Sequence, residues 1–392
     1  MVAEAVSGVD TRSARPALAD LRVAIAHDWL VQYAGSERVV EAMLDLLPQA
    51  QLLTTIVRPD RLPPLLSTAQ PSFLDRIPGA RRHHELFLPL MPLSWRLRSP
   101  LADLDVVISS SHACAKAIRV DPAIPHICYC HTPMRYAWDF ASEAERFPRG
   151  LRSSSRLAMA AFRRWDRDIS DRVDVFVANS SAVAGRIKQF YGRDALVVHP
   201  PVRTNFFTYD PAVEREDFFL FVGRFVAYKK ADALIDAFAA LPHHRLVVVG
   251  GGPQLSRIRA RAAANVTFAG NVSDVELREL YRRTRGFVYP ADEDFGIAMA
   301  EAQSCGAPIL GLAAGGACDI VEDGSDGVLI PAPTTVRIRE GVDKLAQCDW
   351  DHERIGRRGR RFSGERFRRE LRRIVGEVVA SSIARNADAV GA

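Results

Sequence analysis

At 392 residues the chain is longer than one ordinary hydrophobic core, so two domains are the first expectation. Its 48% hydrophobic and 25% charged residues are ordinary for a globular protein, and no apolar run reaches the ~18 residues of a spanning helix. The net charge of +5 permits an anionic partner, whether nucleotide phosphate, a membrane surface or nucleic acid, and selects none of them.

Residues 1–20 are Ala-rich with mixed charge, lack the apolar centre of a signal peptide and read as a disordered tail, which suggests a cytoplasmic protein. Order begins with an apolar strand at 21–26, followed by His27-Asp28-Trp29, a loop carrying Ala34-Gly35-Ser36-Glu37-Arg38 and a helix over 39–47. Such a strand–turn–helix unit can bring a phosphate close to backbone at Gly35, although a single glycine more often serves only the turn. Further strands are expected at 51–57, 106–109, 126–129 and 173–178, each followed by polar or helical sequence, a pattern that favours a parallel sheet with helices on both faces.

Between the second and third strands, residues 81–98 place apolar side chains between cations. They read either as a segment resting on an anionic membrane, with Trp95 at the interface, or as a core helix or loop with solvated ends. Cys128-Tyr129-Cys130-His131 would be split between two faces by strand alternation, and the six cysteines lack disulfide-framework or zinc spacing, so buried free thiols are expected and no metal. Two histidines follow apolar runs, His112 and His131. The first reads as structural, and the second lies in a loop toward the expected cleft.

A linker over 203–217 precedes a second series of strands at 218–222, 245–249, 266–269, 287–289, 308–312 and 327–330. Two α/β domains joining near residue 210 would open a cleft between their carboxyl-end loops. The ten arginines between 354 and 373 are interleaved with few aromatics. Leu371, Ile374, Val375 and Val378 form a helical apolar stripe, so a terminal helix packed across the domains is expected in place of a nucleic-acid surface.

In the second half, Gly223-Arg224-Phe225-Val226-Ala227-Tyr228-Lys229-Lys230 joins a strand to a helix over 231–239. Arg224 and Lys229 could hold a diphosphate there, as fork and point charge, or form a solvated loop. Gly250-Gly251-Gly252-Pro253 lacks dinucleotide spacing; Gly251 could approach a nucleotide or serve a tight turn, and Asn271 stands in a segment able to read a base edge. Pro290 to Glu301 runs strand, acidic loop, helix. Glu293 would face neutral hydroxyls, the N–H groups near Gly296 and Ile297 an anion, and Glu301 a second polyol.

Gly223-Arg224 with Lys229, the Glu293-Asp294-Phe295-Gly296-Ile297 and Glu301 element, and Cys130-His131-Thr132-Pro133-Met134-Arg135-Tyr136-Ala137-Trp138-Asp139 together resemble the retaining GT-B glycosyltransferases of family four. The resemblance covers residues 21–380 and extends to the bacterial branch that uses GDP-mannose. It implies two Rossmann-like doubly wound domains facing a central cleft: an acceptor domain at 21–205, a donor domain at 206–365, and a C-terminal helix at 366–392 crossing back toward the first domain. It further implies Arg224 and Lys229 on the diphosphate, Glu301 on the ribose, Glu293 on the transferred sugar and Gly296 and Ile297 on phosphate. His131 would lie near the reacting carbon and Gly35 against phosphate. The donor is a substrate, so no cofactor and no metal are implied; the acceptor would be a saccharide or polyprenyl-linked saccharide at the inner face of the cytoplasmic membrane. A UDP-sugar enzyme acting on another glycan or natural product is the near alternative, and a non-catalytic nucleotide-sugar-binding scaffold a further one. Ala34, Asp319 and Lys230 depart from the family pattern of Gly, Glu and Gly.

Overall fold

Parallel strands covered on both faces by helices read as short, nearly unbroken apolar runs, and the described residues contain twelve parallel strands, most of this kind. The computed structural model describes residues 17–99, 101–138, 152–226 and 229–391. Most of the expected tail, together with Asp139, Ala227 and Tyr228 of the quoted motifs, lies outside those residues; Leu18–Asp20 form a 3-10 turn.

The first sheet contains β1 (Val23–His27), β2 (Gln51–Thr54), β3 (Val106–Ser111), β4 (His126–Cys130), β5 (Val175–Ala178) and β6 (Ala195–Val197), in the order β2-β1-β3-β4-β5-β6. The second contains β7 (Glu216–Val222), β8 (Leu246–Val249), β9 (Val266–Gly270), β10 (Thr284–Tyr289), β11 (Ile309–Leu312) and β12 (Gly327–Ile330), in the order β12-β11-β10-β7-β8-β9. Every pairing is parallel. These are the two Rossmann-like doubly wound domains expected. The chain leaves in opposite directions from β1 and β3, and again from β7 and β10. Each such pair opens a crevice at its carboxyl end.

Several boundaries differ from expectation for local reasons. The first long helix spans Gly35–Leu46, four residues earlier than its apolar pattern, because Glu37 accepts from the Ala34 N–H and from Ser36 Oγ, both at 3.0 Å, and closes the first turn. Strand β6 lies at a sheet edge with Leu196 and Val197 exposed. The linker is shorter than expected because β7 already begins at the polar Glu216.

Residues 84–97 form a 3-10 helix, His84–Leu90, running into an α-helix, Met91–Leu97. Trp95 does not sit at an interface: it is 1% exposed in the first domain's core, with the Arg98 guanidinium 5.5 Å from its ring. Of the six free thiols, Cys318 and Cys348 are exposed, contrary to expectation.

The chain passes between domains twice, and the two passages are bonded through Val202 N to Phe362 O at 2.8 Å. The last helix, Gly364–Gly391, then lays Phe367, Leu371, Ile374, Val375 and Val379 into the first domain's core beside Val39 and Met43. Its arginines and those just before it are largely engaged: Arg358 by Glu322 and Asp326, Arg361 by two carbonyls, Arg366 by Glu370 and Arg373 by Glu377.

Candidate functional site

The crevices of the two sheets face one another across a cleft of about 510 Å³. Eight of the residues singled out by sequence line it: Gly35, His131, Gly223, Lys229, Glu293, Phe295, Gly296 and Ile297. The domains come so close that a Cβ at Gly35 would lie 2.8 Å from Ile297 Cδ1.

On the first domain, His27 closes β1 and His112 and His131 directly follow the neighbouring strands β3 and β4, and the three ring centroids lie 5.8 to 6.2 Å apart. Ser110 links two of them: its hydroxyl lies 2.8 Å from His131 Nε2 and 3.1 Å from His27 Nδ1. His27 Nε2 in turn faces Glu37 Oε1 at 3.9 Å. Burial, followed by the neighbouring His112 and His27, pushes His131 well below its usual value, so it meets a ligand as a neutral ring. Asp28 fixes the turn beneath His112 by accepting four backbone N–H groups, those of residues 112–115, at 2.5 to 2.9 Å. Burial works to raise this carboxyl, yet His112, His27 and those N–H groups prevail and hold it below the ordinary range. His27, Asp28 and Glu37 escaped sequence reasoning. Their signal was a polar pair directly after an apolar strand and an acid at the third position of a helix.

On the second domain the acidic loop after β10 stands beside the loop after β7. Glu293 Oε1 accepts from Tyr289 Oη at 2.6 Å and lies 3.0 Å from Lys229 Nζ. Past it, the helix Ile297–Ser304 begins at Gly296, and among the described residues no acceptor bonds the N–H groups of Gly296, Ile297 or Ala298, residues that line the cleft. Three such donors beside a lysine suit a phosphate.

Arg224, Gly251, Asn271 and Glu301 are not part of this lining. Arg224 is exposed beside it. Gly250 and Gly252 have φ of +118° and +152°, and a Cβ on them would lie 2.2 Å from Gly223 O and 2.6 Å from Phe225 N, so this turn braces the β7 loop from behind.

Glu301 is 5% exposed, 3.3 Å from Arg38 of the first domain and from the Tyr281 hydroxyl. Burial raises its carboxyl from 4.5 to about 7, against the pull of Arg38, Arg203 and Tyr281. The folded chain therefore keeps a proton that the unfolded chain has released, and this contribution to stability declines as pH rises from about 4.5 to about 7. Glu301→Gln, which never ionises, is expected to gain on the parent by up to about 3 kcal/mol across that window, measured by denaturant unfolding at each pH.

The domains are clasped around the loop. Asp294 is held by Arg135 at 2.8 Å and by Arg186, while Asp292 lies 3.3 Å from Arg186. Asp319 accepts from the Ser181 N–H at 2.7 Å and lies 3.2 Å from His199 Nε2. None of these pairs was anticipated, since each joins residues over a hundred positions apart. Among the described residues, the group of possible metal ligands His243, His244 and Asp343 gathers within 4.8 Å and lies outside the cleft lining. No helix among the described residues is long and apolar enough to cross a membrane.

Residues 33–206 match the family described as Glycosyltransferase Family 4, and residues 203–362 match Glycosyl transferases group 1. Over 160 residues the chain is 32% identical to O-antigen chain mannosyltransferase C of Escherichia coli, a match covering 39% of this chain and 43% of that protein. Over 203 residues it is 30% identical to D-inositol 3-phosphate glycosyltransferase of Mycobacteroides abscessus, covering 46% of each. The matches thus span less than half the length of these relatives. Two solved structures share the fold at 16% identity. Sucrose-phosphate synthase from Thermosynechococcus elongatus has a TM-score of 0.69 over 92% of this chain and 100% of its own. Anabaena HepE in complex with UDP and glucose has 0.66 over 91% and 99%.

Proposed function

The chain belongs to the GT-B glycosyltransferases, with a Family 4 domain followed by a group 1 domain, and from that premise we propose that it moves a hexose from a nucleotide sugar to a saccharide acceptor with retention of configuration and without a metal ion. The observation that carries the reading is the cleft itself, where Lys229, Glu293 and three unbonded helix N–H groups face a neutral His131. The donor diphosphate lies over Gly296–Ala298 and Lys229, with Arg224 closing from the exposed side. Glu293 grips the sugar hydroxyls and His131 lies beside the reacting carbon. As the bond to the diphosphate breaks, charge grows on the leaving oxygens, and fixed N–H dipoles and an ammonium meet it where water is scarce. The acceptor hydroxyl enters from the same face and is held chiefly by position. Glu301 turns from Arg38 to the ribose, while Gly35, Gly251 and Asn271 border the nucleotide.

Mannose from GDP-mannose is the preferred donor, supported by the likeness to a mannosyltransferase, and the acceptor is a lipid-linked saccharide of the cell envelope met at the inner face of the cytoplasmic membrane. Calorimetry with GDP, UDP and ADP tests this directly. GDP is expected to bind most tightly; tighter UDP binding sinks the guanosine assignment, and binding of none sinks the donor site. Lys229→Ala is expected to weaken the preferred nucleotide by about 10- to 100-fold, the loss of a charge-assisted contact, and Arg224→Ala by less because of its exposure. Undiminished transfer in excess chelator, and the anomeric form of the product by NMR, test metal independence and retention.

A further inference from the structure

The face that residues 84–97 turn to solvent takes no part in the cleft. Leu86, Leu90, Leu93 and Leu97 recur at steps of four, three and four and are 76%, 42%, 43% and 64% exposed, while Met91, Ser94 and Trp95 behind them are buried. Phe73, 42% exposed, stands on the 3-10 turn Phe73–Arg76, which packs against the helix Met91–Leu97. Single exposed leucines are ordinary, but four of them within twelve residues on two joined short helices mark a surface that meets something apolar.

The rim identifies the occupant. Arg76, Arg82, Arg96 and Arg119 are exposed and no carboxylate pairs with them among the described residues, and Arg119 reaches the Arg96 carbonyl at 3.4 Å. Arg81 is satisfied by Asp75 at 2.5 Å, and Glu85 is the one acid within 81–98. A second copy of this face would set arginine against arginine. An apolar stripe edged by unpaired guanidinium groups matches acyl chains below a layer of phosphates. The face also adjoins the site: the Trp29 ring lies 5.2 Å from His84 at its start and 4.5 Å from His112 in the cleft wall.

We propose that this face docks the first domain on an anionic lipid surface. The leucines and Phe73 enter the acyl boundary, the four arginines meet headgroup phosphates, and the cleft mouth is brought to the bilayer, where an acceptor on a lipid anchor reaches His131 without leaving the membrane. The docking stands on the surface alone; its use for acceptor capture rests on the reading of function above.

The test is co-sedimentation of the full chain with phosphatidylcholine vesicles, with and without phosphatidylglycerol. Binding is expected to require the anionic lipid and to fall with salt. A Leu86→Ser/Leu90→Ser/Leu93→Ser/Leu97→Ser variant and an Arg82→Glu/Arg96→Glu variant are each expected to bind at least about tenfold more weakly while keeping the parent's nucleotide affinity by calorimetry. The proposal is overturned if the parent does not sediment with anionic vesicles, if it binds neutral vesicles equally well, or if the leucine variant binds like the parent. Self-association without lipid that the leucine substitutions abolish would overturn it too, making the partner a second copy. Failure of nucleotide binding with sedimentation intact would sink the donor reading and leave the docking face standing.

Discussion

A Glu293→Ala variant is expected to transfer sugar roughly 10- to 100-fold more slowly while binding the nucleoside diphosphate as well as the parent, or better. The carboxylate is pinned by the Tyr289 hydroxyl at 2.6 Å and faces Lys229 at 3.0 Å, so the two groups proposed for sugar and phosphate hold each other. Donor entry must share that pair between its two halves. Removing the acid deletes a charge-assisted contact to the sugar, worth about 1.5–3 kcal/mol, and each 1.4 kcal/mol of barrier is about tenfold in rate. The same deletion removes the competition of Glu293 for Lys229, so nucleotide affinity should not fall. Turnover and calorimetry on one preparation separate the two effects. Parent-like turnover removes Glu293 from the sugar, and a matching loss of nucleotide affinity makes it a general prop of the loop. Tyr289→Phe keeps the charge and loosens its aim, and a smaller loss, nearer the price of one neutral hydrogen bond, is expected of it.

Gly316→Ala is expected to disable the site from outside it. A Cβ there would lie 2.1 Å from Phe295 O and 2.3 Å from its Cα, and both obstacles are backbone, so no side chain can swing aside. Gly316 also donates its N–H to Glu293 O at 2.8 Å. The methyl must push the acidic loop out of place, at a cost of about 2–3 kcal/mol, and carries Glu293 and the N–H groups beyond Phe295 with it. Nucleotide affinity should fall along with the unfolding midpoint. Gly185→Ala is the control: it lies inside the helix Ser181–Tyr191, where a Cβ meets nothing within 4 Å, and the substitution should stabilise by about 0.5–1 kcal/mol. If Gly316→Ala behaves like Gly185→Ala, the glycine turn is no support of the loop.

The fold was legible because its strands are covered on both faces. Phe218 to Val222 and Val106 to Ile108 announce themselves as apolar runs, and the turns after them follow at once. Legibility fails where burial is one-sided or polar. Strand β6 is an exposed edge, β10 opens with Thr284-Arg285, and Glu37 turns a predicted loop into the first helical turn. In the site, Lys229, Glu293 and Gly296 could be found because each follows a strand directly in sequence. The Ser110 link between two histidines, the Arg135 and Arg186 clasp on Asp294, and the Arg38 contact that occupies Glu301 could not, since they join side chains whose proximity only the closed fold creates. The 81–98 segment was read as either membrane-facing or core; Trp95 packs inward, away from the interface expected of it, while four leucines face solvent.

The final helix has a consequence for the order in which the molecule can be made. The first sheet ends at Val197, yet Phe367, Leu371, Ile374 and Val375 are part of the same core. During synthesis, at about 5–20 residues per second, the first half waits ~10–30 s with that apolar surface uncovered, while the second half, whose strands close with Ile330, needs no such return. The domain that begins first is thus the one completed last. A ribosome that stops short of residue 367 should release a chain with a sound second half and a sticky first half, recognisable by chaperone capture and by protease cuts confined to the first 200 or so residues.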